Sequence, residues 1–134
     1  MDLNFDSPGL ESLFADLVAA PAKLKTLVRA VVVSSADAVK TDARQRFEDQ
    51  RVGNYLPRYS GSITYSIAED PAAAEVTAEI GPDRSIAGMQ GFAGPVMEFG
   101  TARTAPHPHL MPAADAEEPR FVVALEDAVG EVLL

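Results

Sequence analysis

The sequence is 134 residues long, 47% apolar and 23% charged, which is the size and composition of a single folded domain spanning 1–134. It contains no cysteine, which excludes disulfides, thiolate metal ligands and cysteine nucleophiles. The net charge of −9 argues against a DNA-binding domain, because contact with the phosphate backbone requires clustered positive charge. We expect neither a secretion signal nor a membrane span.

The charge changes sign along the chain. Residues 21–60 contain eight basic and four acidic residues, whereas residues 61–134 contain three basic and twelve acidic residues. A solvated helix face explains such a pattern without any partner. The same asymmetry also suits pairing of the two segments, either within one subunit or between neighbouring subunits.

Two helices are predicted in the first 50 residues of the chain. Residues 1–9 are rich in turn-forming types and predict an irregular lead-in, followed by a short helix over 9–20. Apolar residues three and four apart then predict a long helix over 22–50. We expect its apolar face to weaken after Val39, where basic residues become frequent.

Two strands follow the long helix. Over 62–69 and 74–80, apolar and polar side chains alternate, which is the pattern of a half-buried antiparallel pair. The predicted apolar face of this pair consists of Ile63, Tyr65, Ile67, Val76, Ala78 and Ile80.

Two extended loops are predicted after the strands, over 82–94 and 101–110. The first is rich in glycine and serine, and the second contains two prolines, which favour extended backbone. Between them, residues 95–99 predict one helical turn that ends at Gly100. Both loops are candidate contact arms, because assembly proteins often order such segments on binding.

A last helix is predicted over much of 112–133. Pro112 suits its beginning, and Pro119 is expected to break or restart it. Together these elements predict an α+β fold with a long N-terminal helix, a small antiparallel β-sheet and a C-terminal helix.

Few residues suggest catalysis. His107 and His109 are the only histidines and lie two apart in an extended segment, so a metal shared with Glu98 or Asp115 is one interpretation. The flanking prolines favour packing or exposed histidines instead. Asp83, Glu98 and Asp115 are the candidates for acid–base catalysis, but nothing in the sequence brings them together. We therefore predict a protein that is not an enzyme, without catalytic residues, cofactor or metal.

Glu98 is the one acidic residue in the apolar segment 95–101. Its carboxylate must cap N–H groups or pair with a base, because a buried charge without a partner is costly. We expect Glu98 to organise the fold and to hold the turn into 101–110. Contact with a ligand is the alternative.

Three segments of the second half carry a resemblance to known proteins. They are Ser60-Gly61-Ser62-Ile63, then Val96 with Glu98-Phe99-Gly100-Thr101, and finally His109-Leu110-Met111-Pro112-Ala113-Ala114. In this order and spacing, over roughly 20–133, the chain resembles the tail-component family of long-tailed bacteriophages, which includes tail-completion, minor tail, neck and head–tail joining proteins. It departs from that pattern at His109, where an aromatic residue is usual, and it lacks the family's tyrosine before Val96 and its leucine-arginine pair.

The resemblance implies a structural virion protein that joins the head connector to the tail or completes the tail. Its implied partners are copies of itself, in a hexameric or larger ring, and neighbouring neck, connector or tail-tube proteins. DNA would pass through the channel without sequence-specific binding, and no membrane would be involved. The protein would be assembled in the host cytoplasm and would reside in the neck or tail of the virion.

Two sets of residues follow from this interpretation. The expected structural motif comprises Glu98, Phe99, Gly100, Thr101 and Pro112. The expected subunit interface uses the basic residues Arg44, Arg46, Arg51 and Arg103. Two other functions remain open at this point, namely a small metal-dependent enzyme using His107, His109 and Glu98, and a generic protein-interaction adaptor domain outside phages.

Overall fold

The computed structural model describes residues 2–4, 21–50 and 56–133, and it has the predicted α+β architecture. In chain order, the elements are strand β1 (Asp2–Asn4), helix α1 (Pro21–Asp49), helix α2 (Tyr59–Ser62), strand β2 (Ile63–Asp70), strand β3 (Glu75–Pro82), helix α3 (Gly94–Phe99) and helix α4 (Leu110–Leu133). A 3₁₀ turn, Gly91–Ala93, leads into α3. The short helix predicted over 9–20 and the candidate interface residue Arg51 lie outside the described residues.

The strands form an antiparallel sheet in the order β1-β3-β2. Tyr65 pairs with Ile80 and Ile67 pairs with Ala78, so the predicted apolar face of β2 and β3 is confirmed. The prediction that 1–9 is entirely irregular is wrong, because residues 2–4 pair with β3. A strand of three residues is too short to show alternation. Its backbone hydrogen bonds are made with β3, which is more than 70 residues away in the chain.

Helix α1 carries the central stripe of the core. Its buried apolar residues recur every three or four positions and are Leu24, Val28, Val32, Ala36, Val39, Ala43 and Phe47. The expected weakening after Val39 is wrong, because Ala43 and Phe47 continue the stripe and are almost fully buried. The weakening was expected because Ala43 has a short side chain and contributes little to the apolar pattern, although it is buried.

Helix α1 contacts both α4 and the sheet, so it lies at the centre of the core and joins the two. The sheet contributes Ile63, Ala78 and Ile80, and α4 contributes Leu110, Ala113, Phe121 and Leu125. An ion pair between Arg29 and Glu69, 2.8 Å apart, links α1 to β2 on the surface.

Helix α4 differs from its prediction at two prolines. It begins at Leu110, so Pro112 lies within the first turn, where a missing N–H is tolerated. It continues through Pro119, and the predicted break is wrong. Pro119 is exposed, as is Asp115 four residues earlier, so water has access to the carbonyl that the proline leaves without an N–H donor.

The predicted loop over 82–94 is shorter than expected, because β3 extends to Pro82 and the 3₁₀ turn begins at Gly91. Residues 100–109 contain no helix or strand, as predicted for most of 101–110. None of the helices in the described part of the chain combines the length and apolarity that a membrane crossing demands.

Candidate functional site

The segment singled out by the sequence forms a sharp corner between α3 and the irregular backbone that follows. The Gly100 N–H donates to the Val96 carbonyl at 2.8 Å and ends α3. Gly100 has φ of 73° and ψ of 179°, a conformation that side chains rarely adopt. A Cβ atom there would lie 2.8 Å from the Pro106 nitrogen and from the Thr104 carbonyl oxygen. The corner therefore requires glycine.

A compact turn follows the corner and returns the chain towards α3. The Thr101 N–H donates to the Thr104 carbonyl at 2.8 Å. The Thr101 hydroxyl oxygen accepts the N–H groups of Arg103 and Thr104 at 3.2 and 3.1 Å. The His107 N–H then donates to the Met97 carbonyl at 2.6 Å, which fixes the start of α4 beside α3.

Glu98 joins the two helices. Its side chain is buried, and Oε1 accepts the N–H groups of His109 and Leu110 at 3.2 and 2.8 Å. Oε2 accepts the Met111 N–H at 3.4 Å. The first N–H groups of a helix have no partner within it, and the partial positive charge there favours a carboxylate. The sequence left open whether Glu98 caps N–H groups or contacts a ligand. In the structure it caps the start of α4, from a position 11 to 13 residues earlier in the chain.

His109 continues this network into the core. Its Nδ1 lies 2.8 Å from the His107 carbonyl oxygen and 3.4 Å from Glu98 Oε1. Both neighbours are acceptors, so Nδ1 carries the proton, and Nε2 accepts the Tyr59 hydroxyl at 2.8 Å. Burial raises the pKa of the Tyr59 hydroxyl far above its ordinary value, and the negative charge of Glu98 raises it further.

Three rings pack around this network. The centroid of Phe47 lies 4.5 Å from that of Tyr59 and 5.2 Å from that of His109, and the Tyr59 and His109 rings meet edge to face. Gly94 completes the packing, because a Cβ there would overlap the Pro82 ring and lie 3.4 Å from the Tyr59 hydroxyl. The cluster of Tyr59, Glu98 and His109, called the corner cluster below, is thus enclosed on several sides.

The corner cluster uses its polar groups to hold the fold. Throughout the described residues, every buried side-chain nitrogen and oxygen has a hydrogen-bond partner. His107 Nδ1 lies 3.1 Å from the Gln50 amide oxygen, whereas both ring nitrogens of His109 are engaged elsewhere. Within residues 2–4, 21–50 and 56–133, no three His, Asp or Glu residues are placed to hold a metal ion. The geometry does not support the interpretation of His107, His109 and Glu98 as ligands of one metal.

The other candidate acids are also engaged or exposed. Asp83 Oδ1 accepts the N–H and the hydroxyl of Ser85 at 2.8 and 2.6 Å, and these bonds lower the pKa of Asp83. Asp115 is exposed on α4.

The candidate interface residues have different surroundings. The Arg44 guanidinium donates to the Ile63 carbonyl at 3.0 and 2.7 Å and to the Gly61 carbonyl at 3.4 Å, so it stabilises the end of α2 within the same chain. Arg46 pairs with Asp42 at 3.0 Å on the half-exposed side of α1. Arg103 is exposed in the turn after the corner.

Sequence reasoning missed the exposed apolar side chains before and after the corner. Phe99 is 74% exposed, so its side chain does not join the buried part of the expected motif. Phe92, Val96 and Met111 are exposed as well. A cavity of about 210 Å³, called the Phe99 groove, is lined by Pro82, Gly94, Pro95, Glu98, Phe99, Leu110 and Met111. The spacing of Phe92, Val96 and Phe99, four and three apart, was the available signal, but the first of them lay in a predicted loop.

Two of the three segments that carry the phage resemblance contribute side chains to the corner cluster, and the remaining one lies next to it in the chain. The first follows Tyr59 directly, the second contains Glu98, and the third begins with His109. The chain matches no protein-family model, no curated protein and no solved structure. The meeting of the second and third segments through Glu98 is therefore the observation from which a function is argued.

Proposed function

We propose that the chain is a structural subunit of a phage neck or tail, which joins the head connector to the tail or completes the tail as part of a ring. The proposal rests on one observation, namely that the second and third segments resembling phage tail components form a single structural unit with Tyr59, the residue directly before the first segment. That unit commits Glu98, His109 and Tyr59 to folding contacts. Such a unit suits a protein that acts through its shape and surface.

The surface beside the corner cluster also supports an assembly role. Phe99 on α3 and Met111 on α4 are 74% and 49% exposed, and the Glu98 cap holds the two helices together beneath them. Large apolar side chains clustered on a surface commonly mark an interaction site. An exposed apolar surface at this place suits contact with a neighbouring neck or tail protein.

The location in the virion is tested with particles produced by a host strain that carries the gene. We expect mass spectrometry to detect the protein in purified virions and immunogold labelling to place it at the head–tail junction or the tail end. Its absence from particles would contradict the phage proposal and would favour an adaptor domain outside phages.

Ring formation is tested on the purified chain by native mass spectrometry and cryo-electron microscopy. We expect a closed oligomer, alone or with neck proteins, and a monomer under both conditions would contradict the ring. Charge pairing between subunits is tested with Arg103→Glu, because Arg103 is exposed whereas Arg44 and Arg46 have partners within their own chain. Arg84→Glu, an equal change at another exposed position, is the control. Normal assembly of both variants would contradict pairing through Arg103.

A further inference from the structure

The Phe99 groove has the size of a side-chain pocket. Its volume of about 210 Å³ is below the roughly 300–1,000 Å³ of sites for small molecules. Phe99 and Met111 stand exposed at its rim, while Leu110 is buried at its wall. A cavity of this size and lining suits one large apolar side chain of another molecule, in the manner of an interface anchor.

An acidic stripe continues from the groove along α4. Asp115 and Glu118 follow Met111 at spacings of four and three, which places all three residues on one face of the helix. Both carboxylates are exposed. A molecule that fills the groove and follows α4 therefore meets negative charge within one or two helical turns.

We propose that the Phe99 groove binds a cationic segment of a partner protein, with an apolar side chain inserted between Phe99 and Met111 and Lys or Arg residues against Asp115 and Glu118. A second copy of this chain is a poorer occupant, because its net charge of −9 opposes approach to an acidic stripe. Much of its own positive charge on α1 is also occupied, since Arg29, Lys40 and Arg46 pair with carboxylates of the same chain. The inference goes beyond the ring proposal, since it concerns a different chain.

The test uses two synthetic, fluorescently labelled amphipathic peptides, one of leucine and lysine and one of leucine and glutamate. Binding to the full chain is measured by fluorescence anisotropy at low and moderate salt. We expect the leucine–lysine peptide to bind and the leucine–glutamate peptide not to bind. Phe99→Ser should weaken binding by about tenfold or more, as expected for loss of a buried aromatic contact. The control is Val123→Ser, which alters an exposed apolar residue of α4 outside the groove lining and should leave binding unchanged.

The charge contribution is tested in the same assay. The double variant Asp115→Lys/Glu118→Lys should weaken binding by about tenfold or more and reduce its salt dependence, because screened attraction is lost. Asp127→Lys/Glu131→Lys makes the same charge change at exposed positions on another side of α4 and should have little effect. Circular dichroism of each variant verifies that α4 is still formed.

Three outcomes would overturn the proposal. The first is no binding of the leucine–lysine peptide to the unaltered chain. The second is equal loss of binding in the groove variants and their controls, which would indicate unspecific attraction to an acidic protein. The third is an oligomer of the unaltered chain, seen by analytical ultracentrifugation, that Phe99→Ser dissociates, since the groove would then hold a second copy. Ring formation that is insensitive to Phe99→Ser supports the proposal, because the groove then lies outside the contacts between copies.

Discussion

Replacing Glu98 by alanine removes the carboxylate that caps α4 and leaves its first N–H groups without their acceptor. The His109, Leu110 and Met111 N–H groups lie 3.2, 2.8 and 3.4 Å from the Glu98 oxygens. Because these contacts are buried or partly buried, water cannot readily replace the lost acceptor. We therefore expect a large fall in the free energy of unfolding.

The size of this fall follows from two contributions. Loss of a helix cap costs about 0.5–2 kcal/mol. Loss of a partly buried charge at a helix N-terminus costs up to about 2 kcal/mol more. Because Glu98 is buried and accepts three N–H groups, both contributions fall in the upper half of their ranges, and the expected decrease for Glu98→Ala is about 2–4 kcal/mol, against a total stability of about 5–15 kcal/mol for an ordinary domain. Glu98→Gln keeps one carbonyl oxygen and should lose about half as much.

The measurement is urea denaturation at neutral pH, followed by circular dichroism. With a denaturant slope of about 2 kcal/mol per molar urea, the middle of the ordinary range, the midpoint should fall by about 1–2 M. Glu126→Ala is the control, because Glu126 is an exposed acid on α4, the helix that Glu98 caps, and should change stability by less than about 0.5 kcal/mol. A midpoint for Glu98→Ala within the error of this control would refute the assignment of Glu98 as the cap of α4.

Three further predictions concern the surroundings of the corner cluster. Since the pKa of Tyr59 is raised in the folded state, the free energy of unfolding should fall by about 1.4 kcal/mol per pH unit above pH 10, where only the unfolded tyrosine ionises. Tyr59→Phe should remove that component in urea titrations between pH 9 and about 11, whereas Tyr65→Phe should retain it. In thermal unfolding, Gly94→Ala should destabilise the protein by about 1–3 kcal/mol, because the added Cβ overlaps Pro82. Its control is Gly130→Ala in α4, which has open space around it and should stabilise the protein by up to about 1 kcal/mol. Gly100→Ala should cost about 1–3 kcal/mol or more through its positive φ, and a melting temperature equal to that of the unaltered protein would contradict this account.

The regular elements could be predicted because their periodicity is local. Alternation in β2 and β3 identified Ile63, Tyr65, Val76 and Ile80 as one face, and the register of the sheet confirms that face. The long helix α1 was predicted to within one residue at each end from apolar spacing. In the helix and in the strands, the spacing of apolar residues within a short stretch of sequence identifies the buried face, so no information about distant parts of the chain is needed.

The contacts of the corner cluster could not be predicted in the same way. The sequence identified Glu98 as a residue that needs N–H groups or a base, because its neighbours are apolar. It did not identify the hydrogen bond between Tyr59 and His109, which lie 50 residues apart and meet only in the folded chain. The continuation of α4 through Pro119 was missed for a similar reason, since a proline is tolerated in a helix only where its surroundings allow it.

The hydrogen bond between Tyr59 and His109 restricts which substitutions evolution can accept singly. If phenylalanine replaces His109, the buried Tyr59 hydroxyl loses its acceptor. If phenylalanine replaces Tyr59, the His109 Nε2 loses its donor, and either change alone leaves a buried polar group unsatisfied. Simultaneous replacement by two phenylalanines removes both polar groups and keeps the ring packing with Phe47. Among related sequences we therefore expect these two positions to vary as a pair, so that phenylalanine at one position is accompanied by phenylalanine at the other.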